Sequence, residues 1–142
     1  MRNWLFVFAL VLLSSLAQAQ TKPLQTLLRE KRDDRRVLLF YGTPSGGLTE
    51  QQRKLKPAQA ELDDRDMDVI TLDASSIATA DRQFLVQTYK LNPNIAFMGW
   101  LIGKDGGVKE TYRHPVNPAQ LFGLIDTMPM RKSEMRRKSS DL

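Results

Sequence analysis

Val37-Leu38-Leu39-Phe40-Tyr41 is an apolar run of strand length with no polar residue breaking it. A strand wetted on one face alternates apolar and polar side chains. An unbroken run is the pattern of a strand covered on both faces. That decides the layering first: helices must lie above and below a sheet, which makes the chain an α/β protein. Gly42 ends the run, and Thr43-Pro44-Ser45-Gly46-Gly47 is a turn by composition. Thr49 with Gln52 three residues on reads as a capping box, so a helix is expected to start there. Leu55, Ala58 and Leu62 form its apolar stripe, and Pro57 should kink it.

The remaining elements follow in order. Upstream, Pro23 begins a short helix with Leu24, Leu27 and Leu28 on one face, followed by a mixed-charge connection from Arg29 to Arg36. Downstream, Val69-Ile70-Thr71-Leu72 within 68–73 repeats the buried-strand pattern. A helix carrying Phe84, Leu85, Tyr89 and Leu91 stops at Asn92-Pro93. Phe97 to Ile102 is a third strand, and Lys104-Asp105-Gly106-Gly107 turns it into a return strand from Val108 to Tyr112. Asn117 is the expected cap of a last helix built on Leu121, Phe122, Leu124 and Ile125, which Pro129 ends. The helical crossover makes the first two strands parallel, and the hairpin adds antiparallel strands to the same sheet. A mixed four-stranded sheet with flanking helices in the order (α)βαβαββα is the thioredoxin-like arrangement. A ferredoxin-like sandwich fits that order less well.

The two ends of the chain differ in character. Arg2, the apolar stretch Trp4 to Leu13 and the small-x-small triplet Ala17-Gln18-Ala19 read as an export signal over 1–19. The apolar stretch is too short to cross a bilayer as a helix, which needs about 20 residues. Cleavage after Ala19 would leave a domain over 20–130 and a basic tail over 131–142, with no transmembrane segment, in a periplasmic or secreted setting. The net charge of +5 is uneven: Arg131, Lys132, Arg136, Arg137 and Lys138 face only Glu134 and Asp141. The tail is expected to be mobile and to offer contact to an anionic envelope surface or an acidic partner protein. The body is close to neutral, so no nucleic-acid partner is expected.

The chain has no cysteine. That excludes thiol–disulfide exchange, thiolate metal sites and disulfide staples. Residues 42–49 lie one residue from a phosphate-binding P-loop, but Leu48 stands where the phosphate-reaching lysine belongs. What survives is a weak anion site on Thr43, Ser45, Gly46, Gly47 and Thr49, using amides at a helix start. Thr43 or Ser45 as a nucleophile needs an adjacent base, and His114, the only histidine, has no orienting partner in the sequence. No catalytic residue is assigned. Asp64, Asp66 and Asp68 alternate like the opening of a calcium loop, yet Val69 and Ser75 stand where glycine and glutamate are required. One histidine cannot hold zinc, and Met128, Met130 and Met135 read as packing, so no metal or cofactor is expected.

Two stretches nevertheless look familiar as a set. Leu101-Ile102-Gly103-Lys104-Asp105-Gly106-Gly107-Val108-Lys109 resembles the hairpin signature of an uncharacterised thioredoxin/peroxiredoxin-like family. Leu121-Phe122, Leu124-Ile125-Asp126, Met128-Pro129-Met130-Arg131 and Glu134-Met135-Arg136 resemble its closing motif. That family is a domain of unknown function of exported bacterial proteins, shared with animal sushi-repeat extracellular proteins. The resemblance, spanning Leu24 to Arg136, implies the thioredoxin-like fold and an extracytoplasmic setting, and no reaction or substrate. The expected function is therefore an exported, non-redox binding or structural module. An enzyme using non-thiol chemistry at the glycine-rich turn is the competing class.

Overall fold

The structure is a computed structural model that describes residues 21–142. The expected export signal lies outside the described residues. The elements are α1 (Leu24–Lys31), β1 (Arg36–Gly42), α2 (Thr49–Leu55), α3 (Gln59–Asp64), β2 (Met67–Asp73), α4 (Thr79–Tyr89), β3 (Phe97–Ile102), β4 (Val108–Tyr112), α5 (Pro118–Asp126) and α6 (Pro129–Ser140). A wide turn, Pro44–Leu48, joins β1 to α2, and a short 3-10 segment at Lys56–Ala58 separates α2 from α3 where Pro57 interrupts the helix.

The strands form one sheet in the order β2-β1-β3-β4. β1 runs parallel to β2, with Leu38 opposite Val69, and antiparallel to β3, with Leu39 opposite Trp100. β4 is antiparallel to β3. This is the thioredoxin-like mixed sheet, and the sequence-based order of elements holds from α1 to α5.

β1 is central and buried along its whole length. Its alternate side chains enter two separate cores. Leu38 and Phe40 pack with Leu55, Leu62, Leu121 and Ile125 of α2, α3 and α5. Val37, Leu39 and Tyr41 pack with Leu24, Leu85 and Trp100, under α1 and α4. Gly99 leaves room on the first face for the Phe40 ring, which stacks on Phe97 with centroids 5.7 Å apart. β2 corrects one expectation. It is an edge strand rather than a strand covered on both faces, and Val69 is 39% exposed. A short apolar run has the same composition whether its strand is central or at the edge of a sheet.

Candidate functional site

β1 delivers the chain to the glycine-rich turn, which gathers Thr43, Ser45, Gly46, Gly47 and Thr49 in one place. The cap is Thr43, not Thr49. Its Oγ1 accepts the Gly46 N–H at 3.0 Å, and its carbonyl accepts the N–H groups of Gly46 (3.1 Å) and Leu48 (3.2 Å). The Thr49 N–H donates to the Pro44 carbonyl. The turn thus presents an anion with fewer donors than its sequence suggests, because the amides of Gly46, Leu48 and Thr49, and that of Thr43, already have partners. Thr43 also ties the turn to the start of β3, its N–H donating to the Ala96 carbonyl at 3.0 Å. A Cβ on Gly46 would stand 2.6 Å from that same carbonyl and collide with the Thr43 hydroxyl. Gly47 has φ 140°, where only glycine is at ease, and lies against the Phe97 ring.

Among the described residues no base is hydrogen-bonded to the Thr43 or Ser45 hydroxyl. Thr43 Oγ1 is engaged as the cap acceptor, and Ser45 is exposed. His114 is exposed in the loop between β4 and α5, and among the described residues it hydrogen-bonds to neither. Gln51, a buried side chain that the sequence does not single out, fixes this loop. Its Nε2 donates to the Val116 carbonyl at 3.1 Å and its Oε1 accepts the Val116 N–H at 2.7 Å. A lone glutamine in an amphipathic helix carries no signal for such a role.

The expected basic tail is corrected more thoroughly. Pro129 begins a helix instead of ending one, and that helix is docked on the body. Arg131 is 3% exposed and Glu134 is buried. Arg131 Nε donates to Asp126 at 3.1 Å, and its Nη1 and Nη2 bind the Asp64 carbonyl and carboxylate. Lys138 also reaches the Asp64 carboxylate. The Glu134 carboxylate receives Arg36 as two parallel bonds of 3.2 Å and Lys104 at 2.8 Å. Lys104 Nζ bridges onward to Asp66 at 2.8 Å. Of the five basic residues, Lys132, Arg136 and Arg137 are exposed and without a carboxylate partner among the described residues.

The alternating aspartates belong to the same network. Asp64 binds α6, Asp66 binds Lys104 of the hairpin turn, and Asp68 binds Arg35 and Lys31. Hydrogen bonds from Lys138 and Arg131 hold the Asp64 carboxyl below its ordinary value, and Lys104 does the same for Asp66. Burial pushes the Asp68, Asp126 and Glu134 carboxyls up, but their cationic donors outweigh it and the net direction is down. Each carboxylate faces a cation instead of converging with its neighbours. Among the described residues no three acidic or histidine side chains are arranged to hold a metal ion, and no helix is long and apolar enough to cross a membrane.

Among curated proteins none matches this sequence. In three dimensions the chain is similar to the crystal structure of a Chlorobium tepidum protein named for thiol:disulfide interchange (DsbE), with a TM-score of 0.46 and 15% identity. That likeness covers 69% of this chain and 84% of the other. The model of the family described as a domain of unknown function, DUF4174, matches residues 27–134, from α1 into α6. The chain belongs to this DUF4174 family.

Proposed function

We propose that this protein is an exported, non-redox binding module on a thioredoxin-like scaffold, acting in the periplasm or outside the cell on an envelope or extracellular partner. One observation carries the reading. The turn after β1, where redox members of this fold hold Cys-x-x-Cys, is closed by Gly46 lying against the Ala96 carbonyl, in a chain without cysteine. Thiol exchange and thiol-based peroxide reduction both start from a thiolate. An enzyme using the Thr43 or Ser45 hydroxyl needs a base about 3 Å away, and His114 bonds to neither, which favours a binding role. The export signal read over 1–19 supports the location, as does the resemblance of the hairpin and closing motifs to exported and sushi-repeat extracellular proteins.

The purified protein is expected neither to reduce insulin disulfides nor to consume hydrogen peroxide, with or without a thiol donor. Turnover that survives removal of metal would overturn the reading. The intact mass of protein recovered from the periplasm is expected to begin at Gln20. A mass beginning at Met1 would replace export with anchoring.

A further inference from the structure

On the α1/α4 face, away from the glycine-rich turn, four residues of one stripe line a groove. Gln25, Leu28, Arg29 and Arg32 recur at helical spacing along α1 and onto its C-cap. With Phe84 and Tyr89 of α4, Ile102 of β3 and Gly106 of the hairpin turn, they line an open groove of about 210 Å³. The floor is aromatic. Phe84 and Tyr89 meet edge to face with centroids 5.7 Å apart, and Tyr89 rests on Trp100 at the same distance. Arg32 lies along Gly106, its Cδ and Nε 3.5 Å from where a Cβ on that glycine would stand.

The charge in this groove is unanswered. Among the described residues neither Arg29 nor Arg32 has a carboxylate partner, and no acidic residue lines the groove. Two other surface grooves neutralise themselves. Beside Met128 and Met130, Arg36, Lys104 and Lys109 are met by Glu134, Asp66 and Asp105; along β2, Lys31 is met by Asp68. Like charges three residues apart on a helix repel each other, and an anion between them relieves that. The Tyr89 hydroxyl has no hydrogen-bond partner among the described residues either. Burial raises its pKa, so it stays protonated as a donor at neutral pH.

We propose that this groove binds a small aromatic carboxylate, its carboxylate held between Arg29 and Arg32 and its ring laid on Phe84 and Tyr89. The size agrees: an apolar cavity of about 150 Å³ is enough to take a benzene ring, which leaves room here for the carboxyl group. The proposal rests on reading the domain as a binding module and gives that module a ligand class.

Phenylacetate, phenylacetamide and acetate are the probes, titrated into the mature protein and followed by backbone amide shifts. Phenylacetate is expected to move the signals of Leu28 to Arg32, Phe84, Tyr89 and Gly106. Acetate lacks the ring and phenylacetamide the charge, so each is expected to bind at least about tenfold more weakly. The double variant Arg29→Gln/Arg32→Gln is expected to lose about tenfold or more in affinity at an unchanged urea midpoint. The variant Arg53→Gln/Arg113→Gln removes two exposed arginines outside the groove and is expected to bind as the parent does. No shifts at about 10 mM phenylacetate, weaker than any specific site of this kind, overturns the proposal. So does equal binding by acetate or by the groove variant. A redox turnover would strike the module reading while leaving this titration as it stands, so the two failures are distinguishable.

Discussion

At Gly46 the backbone, not the chemistry of the side chain, decides what the turn accepts. Replacing it with alanine puts a Cβ against the Ala96 carbonyl and the Thr43 hydroxyl, so β3 or the turn must shift. A loss of about 1–3 kcal/mol is expected, read from urea unfolding, and Gly46→Cys is expected to lose at least as much. Glu134 is a residue of the opposite kind, tolerant in shape and strict in charge. Glu134→Ala leaves the Arg36 guanidinium, 2% exposed, without its counter-charge. The expected cost is on the order of 3–5 kcal/mol, and an unchanged urea midpoint would show that water replaces the carboxylate. Neither role was legible in the sequence. Thr49 and Gln52 have the spacing of a capping box, yet it is Thr43 that captures a turn amide, that of Gly46. Glu134 looked like one charge in a charged run, because Arg36 lies 98 residues away.

Among the elements, those defined by apolar periodicity were readable and those defined by charge were not. β1, β3, β4 and α5 fall within a residue or two of the expected spans, while α4 starts at Thr79, inside the stretch expected to lead into it, and ends before Leu91. α6 has no apolar stripe: its buried side is Arg131 and Glu134, and exposed Lys138 on the same face reaches Asp64. A window of sequence shows that face as solvated, since Asp64, Asp126 and Arg36 come near only in the folded chain. The consequence for experiment is direct. A chain ending at Met130 loses the buried network with the helix and is expected to unfold at lower urea, so it cannot report on surface contact. In the proposed contact with an anionic surface, the exposed cations of α6 without a carboxylate partner among the described residues are Lys132, Arg136 and Arg137. Reversing these three to glutamate in the intact chain is expected to weaken adsorption to anionic vesicles at low salt by roughly 1 kcal/mol per residue, with the urea midpoint unchanged. Equal adsorption by parent and variant would remove α6 as the contact surface.

For the molecule as a whole, stability should follow the carboxylates. Asp64, Asp66, Asp68, Asp126 and Glu134 all have folded pKa values below their ordinary ones. A group depressed on folding contributes stability above its unfolded pKa and loses it as the pH falls through the folded value. The urea midpoint is therefore expected to hold level down to about pH 5 and to fall steadily below about pH 4, where the unfolded carboxyls take up protons that the folded ones refuse. A midpoint still flat at about pH 3 would mean that the cations contribute position and little energy.

The pairing of Arg36 with Glu134 also orders events in time. Chains are made at about 5–20 residues per second from the N-terminus, so Arg36 waits several seconds for a partner 98 residues behind it. Until Glu134 arrives, Arg36 has the Arg65 carbonyl but no carboxylate partner, so closing the sheet over it buries a charge without its counter-charge. Burial of Arg36 and docking of α6 therefore belong to one event.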